Sequence, residues 1–445
     1  MEVWASADSD SVGLVASVDV PVALLGYGTV GSAVDRLLRE QAADIERATG
    51  HRLRVVRALV RDATRARGET PLTTDFAQIR DDPEVAVVAE VMGGLEPAGD
   101  YVLELLRAGK SVVTANKQLV ARRGAELFAA AAAGGVQLRF EASVCAAIPV
   151  IKVLREALVV ASVHRVLGIV NGTTNFVLTE MERGASYDEA LAEAQRLGFA
   201  EADPTEDVSG QDAAAKMAIL ATVAFGSRVT PDDVACIGLE GVQPEDVAAA
   251  REMDMVVRLV GAATLADGQV DVRVRPALVD RHHPLASVEG AFNAVMLQGD
   301  AIREITLEGP GAGGLETASA VVADLVTIVG TSGTGFLEND ACWRDLPRLP
   351  EGEVASPYYV RVEVADRPGV LALVASRLAA QGISVARLVQ HQAEGGATLH
   401  IVTHEAPAGR LRHALDEIDA LEETREPASA LPVISDRGVA ELGWR

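Results

Sequence analysis

Apolar residues along this chain change their spacing in a way that lays out its architecture. Val20 to Leu25 is a short apolar run of the kind that fills a buried strand. Gly26, Gly28 and Gly31 follow at once, and from Ser32 to Gln41 the apolar positions take helical spacing. Further strands are predicted at Leu53 to Val60, Val85 to Val91, Ser111 to Thr114 and Val136 to Phe140. Helices are predicted between them, at Asp100 to Ala108 and Gly124 to Ala133. Strands alternating with helices make a parallel, doubly wound sheet. From about Ile148 the texture changes. Apolar segments alternate with the polar loops Asn171 to Asn175 and Glu201 to Gly210, and then a long Ala-rich helix runs from Gln211 to Ala224. That pattern predicts a second domain of α+β type, with another glycine-rich turn, Gly309 to Gly314, and a helix from Glu316 to Val329. Prolines and mixed charge from Leu337 to Pro357 read as a linker. Beyond it Tyr359 to Val364 alternates as a strand does, Asp366-Arg-Pro-Gly369 makes a turn, and Val370 to Gln381 is an amphipathic helix, which suggests a small βαββαβ module.

These boundaries give an extension at 1–19, a nucleotide domain at 20–147 and a second domain at 148–336, whose stretch near 310–336 returns to the first. A linker at 337–357 and a C-terminal module at 358–445 complete the division. The chain has 445 residues, ample for several cores. Its formal charge is 40 − 64 = −24, which repels phosphate backbones and anionic lipid, so neither nucleic acid nor membrane is an expected partner. Three scattered cysteines (Cys145, Cys236, Cys342) suit a reducing cytoplasm and make neither a disulfide framework nor a zinc pattern. Met1 to Asp19 has no basic region before its apolar stretch and does not read as a signal peptide.

Gly26-Tyr27-Gly28-Thr29-Val30-Gly31 is a GxGxxG turn between strand and helix, the Rossmann-type arrangement for a dinucleotide. The first glycine permits the turn, the second admits a pyrophosphate, and the third lets helix and strand pack closely. Arg61, with Arg65 and Arg67 behind it, leans toward the 2′-phosphate of NADP(H), while Asp62 leaves NAD(H) open. Thr114 and Lys117 fall at the end of a predicted parallel strand, where ligands bind. Glu201, Asp203, Glu206 and Asp207 form an acidic loop ahead of Asp212 and Lys216, which are i,i+4 neighbours on a helix. A lysine in that apolar helix can protonate a carbonyl oxygen as hydride reaches its carbon, and the acids can hold an ammonium group. Gly311 lies in a loop able to approach a cofactor. His282 and His283 precede a proline and suit a structural loop, and Cys145 reads as a core thiol.

Across almost its whole length, from about Val20, the chain resembles the homoserine dehydrogenases. The matching stretches are Gly26 to Gly31, Glu90 to Gly94, Thr114 to Lys117, Asn171 to Phe176, Ala200 to Thr205, Asp212 to Lys216 and Gly309 to Gly313. The resemblance implies NAD(P)H-dependent reduction of L-aspartate 4-semialdehyde to L-homoserine in threonine, methionine and isoleucine biosynthesis. It implies Lys216 as acid/base, Asp212 as its partner, and Lys117 near nicotinamide and substrate. Glu201 and Asp207 are implied to hold the substrate amino group, beside the Gly172–Thr173 loop. It also implies a monovalent cation, usually sodium, at Glu141, Val144, Ala146 and Ile148, although Val144-Cys-Ala-Ala-Ile148 departs from the family's glycine-rich loop. Asp366 to Leu371 resembles an ACT domain, a module that pairs across subunits and binds amino acids, here threonine, so a homodimer or homotetramer is implied. Two competing readings are a phosphorylating semialdehyde dehydrogenase using Cys145 as nucleophile and a non-enzymatic amino-acid- or redox-sensing protein.

Overall fold

The computed structural model describes residues 18–64, 69–331, 346–393 and 396–434. The chain divides into two compact units. Six parallel strands build the first: β1 (Val18–Leu25), β2 (His51–Leu59), β3 (Leu72–Thr73), β4 (Val87–Glu90), β5 (Ser111–Thr114) and β6 (Leu138–Arg139). Their order is β3-β2-β1-β4-β5-β6, that of a dinucleotide-binding doubly wound sheet. β1 is central because Val22 to Leu25 are fully buried and can be covered on both faces only there. The helix Thr29–Glu40 packs Val34 and Leu38 onto this core. A later helical stretch, from Thr317 on, joins the same unit through Ala318, Val321 and Leu325. β3 is two residues long, too short to leave a periodic signal. The expected extension at 1–19 lies outside the described residues except for Val18 and Asp19, which pair in β1 with His51 and Arg52.

The second unit carries a mixed sheet. Its strands are β7 (Val163–Ile169), β8 (Ala235–Cys236), β9 (Met255–Ala266), β10 (Gln269–Asp280), β11 (Phe292–Gly299) and β12 (Arg303–Pro310). The helix Gln211–Phe225 lies against β7, β9 and β10. Two strand glycines set its distance: a Cβ on Gly261 would lie 2.4 Å from Met217 Cγ, and one on Gly168 3.7 Å from Met217 Sδ. Met217 thereby locks the helix turn that bears Lys216 onto the sheet.

The C-terminal module adds β13 (Ala355–Ser356), β14 (Tyr358–Val364), β15 (Val385–Ala393), β16 (Gly396–Thr403), β17 (Ala406–Pro407) and β18 (Thr424–Ile434). With helices Val370–Ala380 and Ala408–Asp419 it is βαββαβ, its sheet ordered β18-β14-β16-β15. Leu278 and Val279 of β10 pair with Val433 and Ile434 of β18, so one sheet runs from β12 to β15. The described end of the expected linker is therefore not loose: the Val270 N–H donates to the Pro347 carbonyl, the Leu349 N–H donates to the Val270 carbonyl, and β13 pairs with β17. Prolines here end strands without freeing the chain, because a partly buried backbone N–H must still find an acceptor. The division between units falls at Ala142/Ser143, a few residues before the expected position. Among the described residues no helix is long and apolar enough to cross a membrane.

Candidate active site

The glycine turn of the first unit shows three separate uses of glycine. Gly26 has φ +103°, and a Cβ there would sit 2.9 Å from the Val91 carbonyl oxygen. A Cβ on Gly31 would lie 2.3 Å from the Gly26 oxygen, so only glycine lets the helix start this close to β1. At Gly28 a Cβ would meet nothing within 4 Å. That open space borders the first turn of Thr29–Glu40, where unpaired N–H groups and the positive dipole end favour phosphate. A dinucleotide fits this cradle. Gly28 and Thr29 are exposed and Val30 is half-buried. Tyr27 turns inward, its hydroxyl donating to Asp35 Oδ2 at 2.5 Å, so only its backbone is left for a cofactor.

Arg61, just past β2, is exposed, and no described residue pairs with it. Asp62 accepts hydrogen bonds from the Thr64 backbone N–H at 3.0 Å and hydroxyl at 2.6 Å. These bonds hold its carboxyl below the usual range. Arg65 and Arg67 lie outside the described residues. At the ends of β4 and β5 is a group the sequence did not flag. Glu90 is fully buried and accepts from the Thr114 hydroxyl at 2.5 Å and from the Met92 and Gly93 N–H groups at 2.8 and 3.1 Å. Burial pushes its carboxyl up, and these donors pull it partly back. Asn116 caps the helix Lys117–Gly134, donates to the Gly94 carbonyl, and so fixes half-buried Lys117 at the first helical position.

In the second unit Lys216 and Asp212 meet as their spacing required, Nζ to Oδ2 at 2.8 Å, with only 11% and 7% of their side chains exposed. Lys216 also donates to the Val170 carbonyl at 2.7 Å. An ammonium has three hydrogens. The third has no partner among the described residues. Burial pulls the lysine down, but Asp212, then Cys145 and Asp207, more than restore it, so the ammonium is held above its ordinary value.

Asn171, unmarked as a site residue in the sequence, organises these acids. Its amide donates to Asp207 Oδ1 at 2.7 Å and Asp212 Oδ2 at 2.9 Å, and its Oδ1 caps the helix Gly172–Glu182 through the Thr174 N–H. An Asn before a Gly-Thr-Thr helix start is a capping signature, and that is the signal that could have found it. Thr173 Oγ1 lies 2.6 Å from the Phe199 carbonyl and 3.1 Å from Asp207 Oδ2. Gly172 packs onto the Ala291 backbone, where a Cβ would come within 2.6 Å of its oxygen. Burial, with Asp212 nearby, pushes the Asp207 carboxyl up.

The four-acid loop contributes one member to this cluster. Asp203 is spent on its own turn with Thr205, and Glu201 and Glu206 are exposed, with the Glu201 carbonyl taken by Gln195. A carboxylate stays in water unless donors compensate its burial, and Asn171 and Thr173 supply them only at Asp207.

Val144, Ala146 and Ile148 are buried in one loop. Cys145 and Ala146 hold φ +56° and +41°, so the left-handed backbone is kept without glycine. The Cys145 and Ile148 carbonyls accept from Ile148 and Val150, whereas no backbone donor among the described residues takes those of Val144 or Ala146. Two buried, untaken carbonyls suit a cation. Glu141, in the first unit, donates its N–H to Asp324 at 2.8 Å. Among the described residues no cluster of three His, Cys, Asp or Glu could hold a metal. Gly311 in the second unit packs on Asn293, whose amide reaches Cys145 Sγ at 3.6 Å. His283 is buried and accepts from the Leu285 N–H, and His282 is exposed.

One unit is thus shaped for a dinucleotide and the other for an ammonium poised among carboxylates, a division of labour that defines the NAD(P)-dependent oxidoreductases working on an alcohol carbon. Residues 149–326 match the family model for homoserine dehydrogenase, 26–141 its NAD-binding domain and 358–423 the ACT domain. A homoserine dehydrogenase of Corynebacterium glutamicum is 42% identical, over 94% of this chain and 96% of its own. A crystal structure of a homoserine dehydrogenase from Thiobacillus denitrificans superposes with TM-score 0.89 at 40% identity, covering 94% of this chain and 98% of that one. A hyperthermophilic archaeal homoserine dehydrogenase solved in complex with NADPH gives TM-score 0.60 at 29% identity, covering 70% and 98%. The chain belongs to the homoserine dehydrogenase family, whose members interconvert L-aspartate 4-semialdehyde and L-homoserine. That membership sets aside the cysteine-dependent and purely sensory readings.

Proposed function

We propose that this homoserine dehydrogenase works through Lys216 as acid/base, with NADP(H) as the preferred cofactor. The third ammonium hydrogen of Lys216 carries this reading. Asp212 and the Val170 carbonyl orient the ammonium, and the remaining hydrogen is the one it gives to the aldehyde oxygen. In the reverse direction the neutral amine takes the homoserine hydroxyl proton. Asp207 and Thr173, with Gly172 beside them, receive the substrate ammonium, and Glu201 joins them by moving in from solvent. Lys117 and Thr114 serve the nicotinamide end. Reduced nicotinamide, when bound, supplies the hydride.

Gly26 to Gly31 hold the pyrophosphate and Arg61 the 2′-phosphate. Asp62, already satisfied by Thr64, competes poorly for a ribose hydroxyl. The archaeal relative bound to NADPH points the same way. The Val144, Ala146 and Ile148 carbonyls hold a sodium ion that stiffens their loop. The C-terminal module takes an amino-acid effector, with threonine the first candidate, and the protein assembles as a homodimer or homotetramer in the cytoplasm.

Parallel assays of L-homoserine oxidation with NADP and with NAD, followed by nicotinamide absorbance, test this. Turnover should favour NADP, and Arg61→Ala should raise the KM for NADP about tenfold, the loss of one charge-assisted contact, with little change for NAD. An NADP preference unmoved by Arg61→Ala would remove the arginine from the account.

A further inference from the structure

On the face of the mixed sheet opposite the Lys216 helix lies a cavity of about 400 Å³, with a floor formed by β7, β9 and β10. Strand register explains how charges come to be there. Arg165 pairs with Thr264, which pairs with Asp271, and two residues along Ala262 pairs with Arg273. Side chains alternate across a sheet, so Arg165, Thr264, Asp271, Arg273 and Arg275 share one face. The C-terminal module and the segment before it form the remaining walls, through Val354 to Ser356, Glu405 and Pro432 to Ile434.

Two arginines lining this cavity keep donors that no described group takes. Arg273 is satisfied by Asp271 at 2.8 Å, and one Arg275 nitrogen reaches Glu351 at 3.3 Å. Arg275, only 8% exposed, leaves its Nε buried without a partner. The hydroxyl of Tyr358, 3% exposed and within the field of Arg273 and Arg275, is also buried and unpartnered. Arg165, half-buried beside Arg273, has no hydrogen-bond or ion-pair partner among the described residues. A buried donor left unmet is costly and an unpaired guanidinium more so, so the donors of Arg165 and Arg275 on one void, with the Tyr358 hydroxyl behind them, mark a place for an anion. Exposed Glu405 lines the cavity, and exposed Glu351 borders it through its contact with Arg275.

We propose that this cavity binds a small α-amino acid, its carboxylate on Arg165 and Arg275 and its ammonium toward Glu351 and Glu405. The proposal rests on the effector reading of the C-terminal module. It places the ligand against the dehydrogenase sheet, away from the Asp366–Gly369 turn. The strand that carries Arg165 ends beside Val170, the carbonyl that receives Lys216.

The test is calorimetric titration of the full-length protein with each proteinogenic L-amino acid, with acetate and methylamine as half-ligand controls. At least one amino acid should bind, and neither half-ligand should match it. Arg165→Gln should weaken that binding about tenfold or more, as loss of a charge-assisted hydrogen bond does. Ala355→Trp, which crowds the mouth and removes no charge, should weaken it similarly. Both variants should keep wild-type homoserine turnover, and should Arg165→Gln fail to fold, Ala355→Trp decides. Binding unchanged in the folded variants overturns the site. Binding abolished by Asp366→Ala but intact in these variants keeps an effector and moves it to the turn. Binding of none of the amino acids overturns site and effector together, while leaving the Lys216 chemistry untouched.

Discussion

Replacing Asn171 separates two jobs that one side chain performs. Its amide nitrogen bridges Asp207 and Asp212, and its Oδ1 caps the helix Gly172–Glu182. Serine caps about as well as asparagine but brings no amide, so Asn171→Ser removes the bridge and keeps the cap. Alanine removes both. A hydrogen bond to a charged group contributes about 1.5–3 kcal/mol net, and water will replace part of it at half-buried Asp207. Asn171→Ser should therefore lose about 2–3 kcal/mol in urea unfolding, and Asn171→Ala about 1 kcal/mol more for the cap. Turnover should divide differently. Without the bridge two carboxylates repel each other beside Lys216, so kcat should fall about tenfold in both variants, an effect of ~1.4 kcal/mol. Serine and alanine variants with equal stability, or a serine variant with wild-type turnover, would refute the bridging role.

The glycine turn predicts a contrast. Gly31→Ala drives a methyl into the Gly26 carbonyl and should destabilise the fold by about 2 kcal/mol or more, whereas Gly28→Ala should leave the melting temperature unchanged and weaken NADPH binding, read by fluorescence titration. Burial, reinforced by Arg165, holds His283 down at about 4. Its unfolded value is about 6.5, so its contribution to stability is complete above that pH and lost as pH falls toward 4. Unfolding free energy should drop by ~2 kcal/mol between neutrality and about pH 5, and His283→Asn, which keeps the cap on Leu285, should flatten that slope. A slope unchanged in His283→Asn would assign the acid sensitivity to other groups.

Much of this was legible in the sequence because local physics dictated it. The GxGxxG turn, the i,i+4 pair Asp212–Lys216 and the βαββαβ tail are short-range patterns, and each appears in the structure where the pattern put it. Long-range pairing was not legible. Nothing in Gln269–Asp280 says that β10 takes β18 of another module as a neighbour, and nothing in Val-Val-Ala-Glu90 says that the glutamate ends fully buried under Thr114. The arrangement of the acidic loop was illegible for a related reason. Sequence shows how many carboxylates are close along the chain, whereas donors from Asn171 and Thr173 decide which one leaves water. Cys145 and Ala146 in left-handed backbone were equally invisible, because neither residue advertises that conformation.

The ammonium of residue 216 carries the account, and its removal is the most direct test. Turnover of Lys216→Ala with homoserine and NADP should fall about a thousandfold, within the range for loss of a general acid or base, while NADPH affinity from fluorescence titration stays within about threefold of wild type. Turnover near the wild-type value, with cofactor still bound, would contradict the assignment of the proton to this lysine.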